Sequence, residues 1–254
     1  MLDQIIAVVR QAGEMIRGAH QIEKVTREKE NSAANLVTQY DEAVQSFLKK
    51  ELLAIKPDAD FFGEEGEHQA LTAPWTYVVD PIDGTTNFVR EMKYSSIAVA
   101  LCREGQVQYA VVYNPFDGEL YAAERGKGAT LNGQPIHVSQ RDLSHAIILC
   151  GSTIYQPENT DRSFAIMRHL YDKGLDIRRF GAAEQDACRV AAGRAEIFFE
   201  CCLSPWDFAA SSLIVEEAGG HLTRLDGTAI DPREPGSIWC TNDVCFESYR
   251  DLPE

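Results

Sequence analysis

Two aspartates three residues apart, Asp80 and Asp83, stand in the run Val78-Val79-Asp80-Pro81-Ile82-Asp83-Gly84-Thr85-Thr86-Asn87-Phe88. The β-rich stretch from Trp75 to Val79 reads as a buried strand that ends in the first carboxylate, Asp80. Pro81 stiffens the exit by fixing one φ angle. After Asp83, Gly84-Thr85-Thr86 supplies a tight turn with backbone N–H groups and two hydroxyls, and a helix starting there has an N-terminus that suits an anion. Two carboxylates beside such a cradle suit a hard cation such as Mg2+, which takes oxygen ligands and bridges carboxylates to phosphate. Asp83-Gly84 alone is equally a turn, and Thr85 or Thr86 a helix cap. Asp80 at the end of an apolar strand tips the reading toward a metal site.

Two further acidic pieces point the same way. Gly63-Glu64-Glu65-Gly66 follows a short apolar strand, which puts Glu64 at a strand end as Asp80 is. Taken alone it is a solvated acidic loop. Asp207, in Trp206-Asp207-Phe208-Ala209-Ala210, opens a helix and serves equally well as its N-cap; a capping aspartate still has an oxygen to offer a metal. The six histidines, His20, His68, His137, His145, His169 and His221, lack a partner motif for nucleophilic catalysis and read as surface or structural residues. The seven cysteines form no pair of CxxC motifs and have no His at ligand spacing. They read as mostly buried thiols of a reducing compartment rather than a zinc site.

The elements that must position these groups change character along the chain. Leu2, Ile5, Ile6, Val9 and Ile16 lie at helical spacing. Residues 24–35, Lys24 to Asn35, are polar and read as an exposed loop. A second helix starts near Thr38, with Asp41 and Glu42 in its first turn, and ends before Pro57. Strands are expected at Asp60–Phe62, Trp75–Val79, Ser95–Cys102, Val107–Tyr113 and Glu119–Ala123, the last three as an antiparallel meander. The second half alternates. Strands are expected at Ala146–Cys150, Leu175–Phe180, Glu196–Phe199, His221–Leu225 and Ser237–Thr241. Helices are expected at Asp161–Asp172, Glu184–Ala192 and Asp207–Ala218, with a last one from near Asn242. The first half, about 1–140, is α+β and the second, 141–254, α/β. No linker separates them, so the 254 residues are expected to form one unit.

Composition bounds the partners. With 24 basic and 39 acidic residues the formal charge is −15. Binding to a nucleic-acid backbone needs clustered Lys and Arg, so nucleic acid is an unexpected partner. No run approaches the ~18 apolar residues of a membrane span, and Met1-Leu2-Asp3-Gln4 does not open a signal peptide. A cytoplasmic location is expected.

The three acidic motifs together, Asp80 to Phe88 with Gly63-Glu64-Glu65 upstream and Pro205-Trp206-Asp207 downstream, resemble the inositol monophosphatase family of Mg2+-dependent, lithium-sensitive phosphatases. The order and spacing match from the first helix to Glu217-Ala218-Gly219-Gly220. The resemblance implies a layered αβαβα sandwich of the sugar-phosphatase fold and two to three Mg2+ ions per site. It also implies a small phosphorylated polyol or sugar as substrate, and a homodimer. It makes Glu64, Asp80 and the Ile82 carbonyl ligands of a first ion, and Asp80, Asp83 and Asp207 ligands of a second, with Glu64 facing a weaker third. Gly84 and Thr85 take the place of the phosphate-binding N–H donors. Thr85, hydrogen-bonded to Asp41, takes that of the group orienting the attacking water. Glu200 stands where the family contacts a substrate hydroxyl, and Gly181, Ala182 and Ala183 occupy the substrate loop. Phosphoryl transfer to water needs charge neutralisation and an in-line nucleophile more than covalent chemistry, which agrees with this set.

The chain departs from the family pattern in three places. The loop position where many relatives carry a Lys reads Glu30, with Lys29 beside it. The family's Gly-[Ser/Thr]-Ala-Ala is Gly181-Ala182-Ala183-Glu184. Here Glu184 either starts a helix, where its charge suits the dipole, or adds polarity to the substrate pocket. Arg189 replaces an aromatic or apolar residue. Within the superfamily, fructose-1,6-bisphosphatase and histidinol-phosphatase activities are the alternatives. A 3′-phosphoadenosine-5′-phosphate phosphatase is disfavoured by Thr86-Asn87, where such relatives carry Lys-Glu. A reading of another class is a non-catalytic metal-dependent binding or regulatory protein, which the intact ligand set argues against.

Overall fold

The computed structural model describes residues 1–19, 22, 26–29, 32–66, 70–152 and 156–253, with backbone alone at 28, 29 and 32–37. The chain opens with α1 (Leu2–Arg17), whose buried side carries Ile5, Val8, Val9, Ala12 and Ile16. An antiparallel hairpin, β1 (Thr26–Lys29) and β2 (Ser32–Thr38), leads into α2 (Gln39–Ile55). A sheet of seven strands follows, with the short α3 (Thr85–Val89) inserted along its course. Its strands are β3 (Ala59–Gly63), β4 (Trp75–Asp83), β5 (Ser96–Arg103), β6 (Gln106–Asn114), β7 (Glu119–Glu124), β8 (Ala129–Leu131) and β9 (Gln134–Pro135), side by side in that order. β3 and β4 run parallel and the other neighbours antiparallel.

The second half alternates as its sequence predicts. β10 (Ile147–Cys150), α4 (Thr160–Tyr171), β11 (Asp176–Arg178), α5 (Ala183–Ala191), β12 (Ile197–Leu203), α6 (Ala209–Glu217), β13 (His221–Thr223) and β14 (Gly236–Thr241) succeed one another. The strands form a second sheet in the order β11-β10-β12-β14-β13. β10, β11 and β12 are parallel, while β14 is antiparallel to both its neighbours.

Period-two patterning sorts the layers. On β5, Ile97, Val99 and Leu101 join Tyr77, Val79 and Val111 under α1 and α2. The alternate residues Ala98, Ala100 and Cys102 face α5 and α6, together with Leu149, Phe198, Ile238 and Cys240 of the second sheet. The other face of that sheet, Ile148, Cys150, Phe199 and Trp239, packs on Ile166 and Leu170 of α4. The layers are therefore helix, sheet, helix, sheet, helix. A one-residue slip of β5 would exchange its two faces, so register is firmly specified. No helix among the described residues is long and apolar enough to cross a membrane.

Four local expectations are corrected. The polar stretch 24–35 carries the β1–β2 hairpin where it is described, because ladder bonding satisfies backbone groups whatever the side chains. Lys24, Val25, Glu30 and Asn31 lie outside the described residues. β4 does not end at Asp80 but runs on to Asp83. The short strands β8 and β9 carry too little pattern to be expected. No α-helix starts at Asn242: its side chain accepts from Cys245 N at 2.8 Å and donates to Arg141 O, and this anchored turn leads to a 3-10 helix at Phe246–Asp251.

Candidate active site

Asp80 and Asp83 are three residues apart, and a regular strand would point them to opposite faces of the sheet. The register corrects this. Asp80 pairs with Ala98 and Asp83 with Ser96, so β4 carries one residue more than β5 between those pairs. This bulge turns both carboxylates to the same side. It spans Pro81 and Ile82, and Pro81 has no N–H to give the ladder. Both carboxylates are buried. Asp80 Oδ1 accepts from Ile82 N at 2.9 Å. Asp83 accepts from Ser96 Oγ at 2.9 Å, Ala183 N at 2.8 Å and Gln185 N at 3.2 Å.

Two loops bring further carboxylates. Glu64 follows β3, and its N–H donates to Val79 O of β4 at 3.2 Å. Asp207 ends the 3-10 turn Pro205–Asp207, two residues before α6 begins and one before its N-cap Phe208, and accepts from Ser204 N at 2.9 Å. Beside it, Trp206 meets Phe62 of β3 edge to face, with centroids 5.4 Å apart. Burial, then the nearby charges of Glu64, Asp83 and Asp207, hold the Asp80 carboxyl well above its ordinary range. Burial pushes Asp83 up to about 7, against the pull of its hydrogen bonds. Asp207 is raised by burial, then by Glu64 and Asp83. A buried carboxylate that raises its neighbours in this way is one that added positive charge would stabilise.

Among the described residues, no three His, Cys, Asp or Glu side chains already converge as a closed metal-ligand group. The donor chemistry nevertheless fits a divalent cation. The donors are hard oxygens, mutually repulsive and withdrawn from water, and Mg2+ uses few protein ligands beside water and phosphate oxygens.

Gly84 occupies the left-handed region at φ 82°, which lets the chain turn straight from β4 into α3. The first N–H groups of a helix lack intrahelical partners, so those of Gly84 and Thr85 are available to an anion. Thr85 Oγ1 lies 3.1 Å from Ile82 O and 3.4 Å from Asp41 Oδ1. Asp41 is held from the other side: its Oδ2 accepts from Thr38 N at 2.7 Å and Thr38 Oγ1 at 2.6 Å in the capping box of α2. Burial raises the Asp41 carboxyl to about 7, with Glu64 and Glu65 adding to the rise.

The substrate-loop residues lie against this motif. Gly181 stands at φ 83°, Ala182 and Ala183 are buried, and Ala183 N donates to Asp83. Glu200, nearly buried on β12, is close enough to raise Asp207 and Asp186. Glu184 lies in the first turn of α5, close enough to Asp80 to help raise its carboxyl. It is fully buried, and its carboxylate accepts from Ala210 N at 2.9 Å and Ser211 N at 2.6 Å, capping α6 from a neighbouring helix. Arg189 stacks over Tyr94 and Phe180 and donates to Tyr94 Oη at 2.9 Å. Glu30, His20 and His68 lie outside the described residues, as does the side chain of Lys29. None of the seven cysteines forms a disulfide, and six of them are buried.

Sequence reasoning passed over three supports. Ser96 holds Asp83. Asn87 donates through Nδ2 to Tyr94 O, Phe180 O and Gly181 O, at 2.9, 2.8 and 3.2 Å. Gln45, one turn beyond Asp41 on α2, grips both backbone groups of Glu65. Only the i, i+4 spacing of Asp41 and Gln45 was a visible signal.

The sequence profile of the inositol monophosphatase family matches residues 1–250. The chain is 39% identical over 221 residues to the inositol-1-monophosphatase of Rhizobium meliloti, spanning 86% of this chain and 83% of that protein. It is 35% identical over 254 residues to the Nus factor SuhB of Pseudomonas aeruginosa, spanning 98% and 93%. It superposes on the crystal structure of an IMPase/NADP phosphatase complexed with Mg2+ and phosphate with a TM-score of 0.87 at 27% identity, covering 98% of this chain and 93% of the other.

Proposed function

The chain belongs to the inositol monophosphatase family, and on that premise we propose that it is a Mg2+-dependent phosphomonoesterase acting on inositol monophosphate or a related polyol or sugar phosphate. The observation that carries this is the bulge in β4, which turns Asp80 and Asp83 to one side beside the Thr85–Asp41 pair. A structural relative that binds Mg2+ and phosphate supports it.

In this reading Glu64, Asp80 and the Ile82 carbonyl hold one ion, and Asp80, Asp83 and Asp207 a second, with Glu64 facing a third. Bound Mg2+ supplies positive charge to the phosphoryl oxygens and lowers the pKa of the attacking water. The chain's own groups do the rest. The N–H groups of Gly84 and Thr85 orient the phosphate. The Thr85 hydroxyl aligns the water and Asp41 takes up the proton. Glu200 and the backbone of Gly181, Ala182 and Ala183 receive the alcohol part. Glu184 is given no substrate contact, because its carboxylate is engaged by α6.

Fructose 1,6-bisphosphate and histidinol phosphate remain alternative substrates of the same site. The likeness to a Nus factor favours a second reading, a regulatory protein that keeps the fold. Phosphate release from inositol 1-phosphate, fructose 1,6-bisphosphate, histidinol phosphate, 3′-phosphoadenosine-5′-phosphate and a glycerol phosphate, with and without Mg2+, separates them. Mg2+-dependent turnover that Asp83→Asn abolishes is the expected result, and the ranking names the substrate. Mg2+ binding with no release from any ester favours the regulatory reading. The same reading carries inhibition by lithium and a homodimer, checked by LiCl titration and light scattering.

A further inference from the structure

Gly151 directly follows β10, and Glu200 lies on the neighbouring parallel strand β12, whose Phe199 O accepts from Gly151 N at 3.0 Å. A β-carbon built on Gly151 would overlap the carboxylate carbon and both carboxylate oxygens of Glu200. Gly151 is not among the residues in the left-handed region, so its backbone would accept alanine. What the position lacks is room. β12 and β14 shift register between Glu200 and Leu203, so Glu200 sits at the last regular pairing, with Ile238.

We infer that the missing side chain of Gly151 is the recess that seats the Glu200 carboxylate, and that Gly151 thereby acts, through Glu200, as a positioning residue that selects among phosphate esters by their hydroxyl groups. This rests on the reading of Glu200 as the contact for a substrate hydroxyl. A carboxylate pushed out of the recess still carries its charge but no longer meets a hydroxyl at hydrogen-bond distance, which weakens binding of hydroxyl-bearing esters. An ester without hydroxyls has nothing to lose.

The test is a mutant cycle of Gly151→Ala, Glu200→Ala and the double variant, assayed with Mg2+ on inositol 1-phosphate and on phenyl phosphate, which has no hydroxyl. Gly151→Ala is expected to raise KM for inositol 1-phosphate about tenfold, the loss of one hydrogen bond to a charged group. Values of kcat, and kcat/KM on phenyl phosphate, should stay within about twofold. In the Glu200→Ala chain, adding Gly151→Ala should change neither ester further. Equal losses on both esters, or losses that add across the cycle, overturn the proposal, because Gly151 then matters for something other than Glu200. Melting temperatures cover the case of a single variant that does not fold. A double variant that melts with Glu200→Ala supports the recess, and one as damaged as Gly151→Ala alone overturns it. Should the unmodified chain hydrolyse neither ester, the phosphatase reading falls and takes ester selection with it, while the melting comparison still decides whether the recess exists.

Discussion

Asp83 accepts hydrogen bonds from the backbone N–H of Ala183 at 2.8 Å and of Gln185 at 3.2 Å, so a carboxylate at the end of the first sheet's β4 fastens the first turn of α5, a hundred residues on. Site and scaffold are thus the same atoms. A second carboxylate does the same one layer deeper, where Glu184 of α5 caps α6.

Asp83→Asn is expected to abolish Mg2+-dependent phosphate release and also to cost stability. Its amide nitrogen would face Ala183 N–H or Gln185 N–H in place of an acceptor, a loss of about 1–3 kcal/mol. In a chain of this size that lowers the melting temperature by roughly 2–12 °C. Calorimetry beside the assay separates the two effects. Melting is compared below about pH 7, where the Asp83 carboxyl is itself protonated and relief of its buried charge does not enter; an unchanged melting temperature there would contradict the double duty of Asp83.

Glu184→Ala tests the second clasp. Two N–H groups at the start of α6 would lose their acceptor, costing about 1–3 kcal/mol, while the ranking of substrates stays the same. The pH dependence has a definite sign. Burial raises the Glu184 carboxyl from 4.5 to about 8 in the folded chain. The folded state therefore holds its proton where the unfolded state has released it, and stability falls as pH rises from about 4.5 through about 8. Denaturant midpoints across that window should show a shallower decline in Glu184→Ala. An identical slope would mean that Glu184 does not contribute to it.

Much of this was visible in the chain. Alternation along Ile97 to Cys102 marks β5, and Asp83, Glu64 and Asp207 stand out as carboxylates at element ends, with Asp80 beside them although β4 runs on past it. The bulge that aims Asp80 and Asp83 together was not visible, because it is a relation between β4 and β5 rather than a property of either strand. The partner of Glu184 was hidden for a similar reason: a helix-starting glutamate ordinarily serves its own helix, and only packing shows that this one serves α6. Asn87 hides inside the motif as one more polar residue, and its three carbonyl partners belong to two separate segments.

The Asp41 carboxyl, raised to about 7 chiefly by burial, sets an expected rise in activity with pH. Thr85 has one hydroxyl hydrogen for two acceptors, Ile82 O and Asp41 Oδ1. Only ionised Asp41 takes up a proton through Thr85, so kcat/KM should climb as pH passes about 7. Raising Mg2+ should move this midpoint down, since added positive charge near Glu64 favours the carboxylate. Asp41→Asn should be slow and should lose the climb. A climb that survives in Asp41→Asn assigns the titration to another group.

Gln45→Ala addresses how Glu64 is presented. Gln45 Nε2 donates to Glu65 O at 2.6 Å and its Oε1 accepts from Glu65 N at 2.8 Å, so one amide engages both backbone groups of Glu65 as a residue of a facing strand would. Asp41 and Gln45 share a face of α2, and this helix therefore holds the proton acceptor and the Glu64 loop in one frame. Without the amide, Glu64 must be ordered at the moment it meets a cation, and fixing one backbone residue costs about 1–2 kcal/mol. The Mg2+ concentration for half-maximal activity should rise roughly five- to thirtyfold, with kcat at saturating Mg2+ and the ranking of substrates nearly unchanged. A Mg2+ titration followed by calorimetry, without substrate, should show the same shift. If kcat at saturation collapses while Mg2+ affinity stays put, Gln45 supports the chemistry by some route other than Glu64.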